Sequence, residues 1–382
     1  MTQHIATKSK IIYKSIKNIC LIGALLICGA SLQNLSAQST QTTKDTKLKT
    51  SDQTSLKDAL QNYFNALVPK DADPKNTIQC KGNDLFFTCK ADSIQFKEVW
   101  LRHFELNVKA LKNHIRAKTK AKINYKQEFI DMLPTQWQNL LPESIHYEQQ
   151  YKQHKATIAT QEELQIQSPD DSKLKIEYEF EANNIEIKDK TLIQNISNVL
   201  ALLVANKYFE EAFLEEAPYD TDNKYDEYHE DCDSKDCDEL ALQYSIISQF
   251  SQQLSQTKFK LKKLRITLES KTLRDVLLQT YLEEWQPYKE KNKNKYGFSS
   301  EILEGISFVK AFLSPKLTNN KQALESVLDD VAQFLLTDKN DKIGFELKAT
   351  KNSKSITLEE FNLLDDDKLF LLLDTYELKA IK

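Results

Sequence analysis

The chain has 382 residues, with 56 acidic against 52 basic side chains and a formal net charge of −4. That balance selects for neither a polyanionic nor a polycationic partner, and the length suffices for one large core or two smaller ones. Only four glycines lie beyond position 37 (Gly82, Gly297, Gly305 and Gly344), so none cluster to cradle a phosphate, which excludes P-loop and Rossmann nucleotide sites.

The first forty residues predict export. Lys8, Lys10, Lys14 and Lys17 form a positive region, Ile19 to Leu32 an apolar one, and Leu35-Ser36-Ala37 a small-residue cleavage site. The apolar stretch is shorter than the roughly 20 residues a membrane span needs. Cleavage after Ala37 is the expected outcome, with Ala30 as a second position. Lipid attachment at Cys28 is a rival reading, weakened by Ile27 where a lipobox carries a small residue, and an uncleaved anchor is a third. All three place residues 38 onward in the periplasm or at the cell surface. Removing 1–37 takes four lysines and no acid, so the net charge becomes −8. No later stretch is long and apolar enough to span a membrane; Val199 to Ala205 is the nearest.

Residues 38–53 are polar and read as a disordered linker. A strand-rich part is expected over 54–216, an acidic loop over 217–239, and a helix-rich part completing the sheet over 240–382. Ser55-Leu56-Lys57-Asp58 resembles a capping box and opens a helix with Leu56, Leu60, Tyr63, Phe64 and Leu67 on one face. From Asn76 to Lys126 the period changes to two, predicting a meander of four or five strands with one buried face. A helix is expected over Gln127 to Leu141, kinked near Pro134, then strands over Ser144 to Asn183. Lys190 to Glu215 predicts a helix apolar nearly all round in its middle, and another follows over Asp238 to Gln253. Phe259 to Leu268 reads as a strand whose phase slips at Lys262-Lys263, the mark of a bulge. Helices are expected over Thr272 to Tyr288, Ser300 to Leu313 and Asn320 to Leu336, and a strand over Ile343 to Ala349. Phe370 to Leu373 and Tyr376 to Ile381 are read as further strands.

Four cysteines remain after cleavage: Cys80, Cys89, Cys232 and Cys237. An even number in an exported chain reads as disulfides; three connectivities are open, and nearest-neighbour pairing is preferred. If the hairpin around Asn83 pivots at Asp84-Leu85, Cys80 and Cys89 face each other, and Cys232–Cys237 would clip the acidic loop. A four-thiolate zinc site is disfavoured, because neither spacing matches the usual C-x₂₋₄-C pairs.

Two surfaces are chemically distinctive. In the acidic loop, Asp231, Asp233 and Asp236 are hard-oxygen donors suited to Ca²⁺, but Lys235 and Leu242 fall where an EF-hand loop needs ligands. Arg116, Lys118, Lys120 and Lys122 share one face of a strand, and Lys258 and Lys260 one face of another. In one sheet the two would form a cationic surface for an anionic ligand. Stacking aromatics are not interleaved with these cations, so nucleic acid is not expected. There is no G-x-S-x-G, no H-E-x-x-H and no histidine pair at ligand spacing, so neither enzyme activity nor a cofactor is expected.

The Lys/Asn/Ile usage, the Cys80–Cys89 hairpin and the alternating strands over 76–382 resemble the JlpA-type curved-sheet surface lipoproteins of Campylobacter and relatives. The resemblance implies an open half-barrel with an apolar concave face. The expected fold is α+β: a one-sided, strongly curved, open antiparallel sheet packed by helices. The expected function is an exported, non-catalytic envelope protein binding a hydrophobic or amphiphilic anionic ligand. The alternative is a surface or periplasmic interaction protein, an adhesin or assembly factor, using the basic face or acidic loop. Lipid, glycan or an envelope protein is the expected partner.

Overall fold

A computed structural model describes residues 55–67, 77–96, 99–183, 257–284, 295–338, 340–357, 359–360 and 363–381. Their backbone forms one open antiparallel, curved sheet of eleven strands with seven helices, an α+β fold not closed into a barrel. The expected helices over 190–215 and 238–253, the acidic loop with Asp231, Asp233 and Asp236, and Cys232 and Cys237 lie outside the described residues.

Helix α1 (Leu56–Leu67) begins as its capping box requires: Ser55 Oγ accepts from the Asp58 amide at 3.2 Å and donates to the Asp58 carboxylate at 2.8 Å. Leu56, Ala59, Leu60, Tyr63 and Phe64 are buried against the sheet, and the Phe64 ring meets Phe104 edge-on at 5.5 Å. Each large side chain so buried stabilises the fold by about 1.5–3 kcal/mol. The polar side of α1 protects the sheet edge. Asn65 Oδ1 accepts from the Ile78 amide and Gln61 Oε1 from the Cys80 amide, satisfying donors that an edge strand leaves open.

Strands β1 (Gln79–Gly82), β2 (Phe86–Phe96), β3 (Val99–Leu111) and β4 (His114–Tyr125) form the expected meander. The first hairpin turns at Asp84-Leu85. Asn83 and Phe86 exchange backbone hydrogen bonds, Asn83 Oδ1 accepts from the Leu85 and Phe86 amides, and Cys80 stands opposite Cys89 in a disulfide. Gly82 sits at φ +125°, where a Cβ would lie 2.3 Å from the Phe86 carbonyl oxygen; no other residue fits there. Next come β5 (Ser144–His154), β6 (Thr157–Gln167), β7 (Lys173–Asn183), β8 (Lys258–Glu269), β9 (Lys342–Ala349), β10 (Ile356–Thr357) and β11 (Tyr376–Ile381). Spatial order follows chain order from β1 to β9, then β11, with β10 paired to β8.

One apolar face runs through this register. A single row contains Cys89, Leu106, Thr119, Tyr147, Leu164, Ile176, Ile266, Phe345 and Ala380. Its other side carries the charges. The bulge read at Lys262 is present: Glu179 pairs with Lys263 and Phe180 with Leu261, so Lys262 is the extra residue.

Two expectations are corrected. The helix over 127–141 is two short ones, α2 (Gln127–Asp131) and α3 (Thr135–Gln138), because Pro134 keeps the residue before it out of the α region and has no amide to continue the ladder. The run Phe370 to Leu373 is helical, within α7 (Asp366–Leu373), where Asp365 Oδ1 accepts from the Lys368 amide as an N-cap. A run of four apolar residues does not distinguish strand from helix; the cap does. The remaining helices, α4 (Leu273–Glu284), α5 (Lys295–Leu313) and α6 (Lys321–Leu336), follow β8. Asn320, just before α6, ties it to the last strand: its side chain donates to the Tyr376 carbonyl and accepts from the Leu378 amide.

Because Cys80–Cys89 joins the edge strand to the sheet, Cys80→Ser is expected to lower stability by about 2–4 kcal/mol in denaturant titration under oxidising conditions. An unchanged midpoint would show that the bridge adds nothing to the fold.

Candidate ligand-binding site

The polar face near the first hairpin holds a cavity of about 510 Å³, within the range of small-molecule sites. Two cross-strand rows build it. Lys81, Thr88, Asn107 and Lys118 stand opposite one another along one row, and Phe86, Lys109 and Arg116 along the next. Antiparallel partners share a face, so four cations converge on one patch with an aromatic ring among them. Phe86 is 49% exposed although it sits in a strand, and Lys109 Nζ lies 5.5 Å from its ring centroid. Leu111 has the same parity as Lys109 and is also exposed, as is Leu85 at the turn. The site is therefore cationic toward the sheet and apolar toward its end.

Its polar groups are pre-oriented. Thr88 Oγ1 donates to Asn107 Oδ1 at 2.8 Å, and Asn107 Nδ2 donates to Glu105 Oε1 at 2.6 Å. Arg116 and Lys118 both pair with Glu148 on β5, Lys118 at 2.9 Å. Burial pushes the Glu148 carboxyl up, but the two cations outweigh it and hold the group below the usual carboxylate range. This stabilisation is present at neutral pH and is lost only as the pH falls through the depressed value. Glu148 thus faces two of the four cations, and Glu105, bonded to Asn107, is paired with Lys90 at 3.1 Å, which leaves the patch net positive.

The predicted basic residues divide. Arg116 and Lys118 line the cavity. Lys120 and Lys122 lie farther along β4, Lys120 opposite His146 and Lys122 opposite Ser144. The His146 imidazole is pushed down by burial and then by the charge of Lys120. Lys258 and Lys260 are on β8, in the same sheet but beyond three intervening strands. The expected continuous cationic surface does not result, because those strands carry carboxylates. Glu181 stands opposite Lys260 and pairs with Lys262 at 3.2 Å, Glu163 pairs with Lys175 at 3.2 Å, and Glu177 with Arg265 at 3.7 Å. Sign alternates across the face, and only its β1–β4 end stays net cationic.

Lys81, Phe86, Lys109 and Leu111 escape a reading based on lysine rows. The available signal was the doublet Phe86-Phe87: adjacent strand residues point to opposite faces, so one ring had to stand on the polar side.

A second polar group lies on the buried face. Glu162 is 2% exposed, in the core position between Thr160 and Leu164. The hydroxyls of Tyr147, Tyr151 and Tyr178 all donate to its carboxylate, Tyr151 at 3.0 Å, and Gln149 Nε2 donates at 3.2 Å. Burial first, and then the negative charge of Glu162, push the Tyr147 phenol far up, so its proton stays available for that bond. Four donors make this buried carboxylate tolerable in an apolar face. Sequence reasoning did not single out this cluster, because its members come from three strands and meet only through the pairing of β5, β6 and β7.

Among the described residues, no helix is long and apolar enough to cross a membrane. The chain matches no protein-family model and no curated protein.

Replacing the carboxylate strands its donors. Glu162→Ala is expected to cost roughly 3 kcal/mol or more, against about 1–3 kcal/mol for Tyr147→Phe, which removes one donor. Chemical denaturation of both variants checks this; equal small losses would mean the cluster does not act as a unit.

Proposed function

We propose that the chain is an exported, non-catalytic protein of the cell envelope that binds an anionic ligand with an apolar part at the β1–β4 cavity. One observation carries the reading: Lys81, Lys109, Arg116 and Lys118 line one cavity with the exposed Phe86, over whose ring Lys109 lies, and Leu111, exposed on the same face, stands two residues beyond Lys109 on β3. Cations laid out on a rigid sheet attract an acidic head, and apolar side chains at the sheet end receive the attached chain or ring. The export signal and the disulfide hairpin agree with an envelope location.

Calorimetric titration with dodecanoate, against dodecanol as the uncharged control, tests the reading. Dodecanoate is expected to bind and dodecanol to bind at least about tenfold more weakly, a difference of about 1.4 kcal/mol. Lys81→Glu with Lys109→Glu is expected to abolish the preference, because both side chains line the cavity and neither is needed for the core. Equal binding of acid and alcohol would contradict the proposal.

Glu148→Gln gives a change of opposite sign. It releases Arg116 and Lys118 from their shared carboxylate, so dodecanoate affinity is expected to rise a few-fold on the same calorimetric readout. A fall in affinity would mean that Glu148 is needed to hold the two cations in place.

A further inference from the structure

Strands β1 to β6 are joined in pairs by three turns at one end of the sheet, and that end differs in charge from the other. Residues 81–86, 109–114 and 152–157 carry Lys81, Lys109, Lys112, Lys152 and Lys155 against a single acid, Asp84, and all six are exposed. Arg116 and Lys118 share Glu148, whereas none of these five lysines pairs with a carboxylate among the described residues. At the opposite end, residues 126–143 and 168–172 carry Glu128, Asp131, Glu143, Asp170 and Asp171 against one lysine, Lys126. This part of the sheet is therefore polarised along its strands, positive at the end that holds the cavity.

The pairing places the three turns in line. The first, centred on Asp84-Leu85, lies level with Ala110-Leu111, two residues short of the second, centred on Lys112-Asn113. The second lies level with Gln153-His154, again two residues short of the third, centred on Lys155-Ala156. Turns two strands apart are roughly 10 Å from one another, and the even stagger lets one inclined surface meet all three.

Exposed apolar side chains stand at the first two of these turns. Leu85 is at the tip of the first, 47% exposed, and its carbonyl accepts from the Ala110 amide at 2.8 Å. Phe86 follows it, and Leu111, next to Lys112, is the diagonal neighbour of Phe86 across the β2–β3 pair. The cavity by itself supplies an acidic head with Lys81, Lys109, Arg116 and Lys118. Leu85, Leu111, Lys112, Lys152 and Lys155 lie outside it, so a small ligand seated there makes no use of them.

We infer that this end of the sheet docks on the surface of an anionic lipid bilayer. The inference rests on the β1–β4 cavity taking an anionic amphiphile, and it assigns that amphiphile to a membrane rather than to free solution. Leu85, Phe86 and Leu111 enter the headgroup region, where exposed apolar side chains leave water, and the lysines of the three turns lie over acidic phosphates. A soluble polyanion matches the lysines but leaves both leucines and the ring in water. An uncharged bilayer matches the apolar side chains but gives five lysines no counter-charge.

Flotation of residues 38–382, produced in an oxidising compartment, on vesicles of phosphatidylglycerol and phosphatidylcholine in equal parts tests the docking. Residues 1–37 are left out because their apolar stretch would add a bilayer contact of its own. The protein is expected to bind these vesicles at least about tenfold more tightly than phosphatidylcholine alone, and to be released by high salt. Lys112→Glu with Lys152→Glu is expected to cut vesicle binding at least about tenfold and to leave dodecanoate affinity within about twofold, because both side chains lie outside the cavity. Leu85→Ser with Leu111→Ser is expected to weaken vesicle binding at least about threefold while near-UV circular dichroism stays native, since both are exposed. A wild type that binds dodecanoate but stays off the vesicles overturns the membrane assignment and leaves the ligand reading standing; one that binds neither overturns both. Vesicle binding that is equal with and without phosphatidylglycerol, or unchanged by either pair of replacements, would also overturn the assignment.

Discussion

Everything in this molecule depends on one register. Strands β1 to β9 and β11 present alternate residues to a shared apolar face, and a one-residue slip at any pair would turn a row of charges into the core. The sequence contains devices that fix the phase. The disulfide holds Cys80 opposite Cys89 at the edge. The irregularity near His103, at φ 52°, and the extra residue Lys262 reset the phase within β3 and β8, so that apolar residues on both sides of each interruption face the same way. The Glu162 cluster bonds β5, β6 and β7 through side chains on the buried face, where only one alignment brings three phenols to one carboxylate.

The same register builds the candidate site. A site on a sheet face is a product of pairing: Lys81 and Lys118 are 37 positions apart in sequence and share a row because β1 to β4 are aligned as they are. Rigidity comes with the arrangement, since each side chain springs from a strand paired on both sides or, for Lys81, from an edge strand held by a disulfide and by Gln61 of α1. The pairing fixes where each cation springs from the sheet, so the backbone of the site does not need to be ordered by a ligand, while the exposed lysine stems still lose rotamer freedom when their ammonium groups are engaged.

Much of the fold was legible because alternation and capping are local. The meander, the bulge at Lys262, the turn at Asp84-Leu85 and the start of α1 each follow from residues within a few positions of one another. Errors fell where local signals are degenerate. Four consecutive leucine-like residues at 370–373 fit either period, and only the Asp365 cap decides between them. Pro134 was read as a kink, whereas short segments on either side could not sustain one helix across it. Half of the site was legible: the lysine row of β4 was visible, but its ion pairs with Glu148 and the mixed sign of the polar face depend on which strands become neighbours.

Native mass spectrometry of residues 38–382 produced in an oxidising compartment, followed by denaturation and a second weighing, tests the proposed ligand binding most directly. An anionic amphiphile that leaves on denaturation, and that is missing when Lys81 and Lys109 are both replaced by glutamate, is the predicted result. A bare wild-type chain, or an adduct that the double replacement leaves in place, would contradict it.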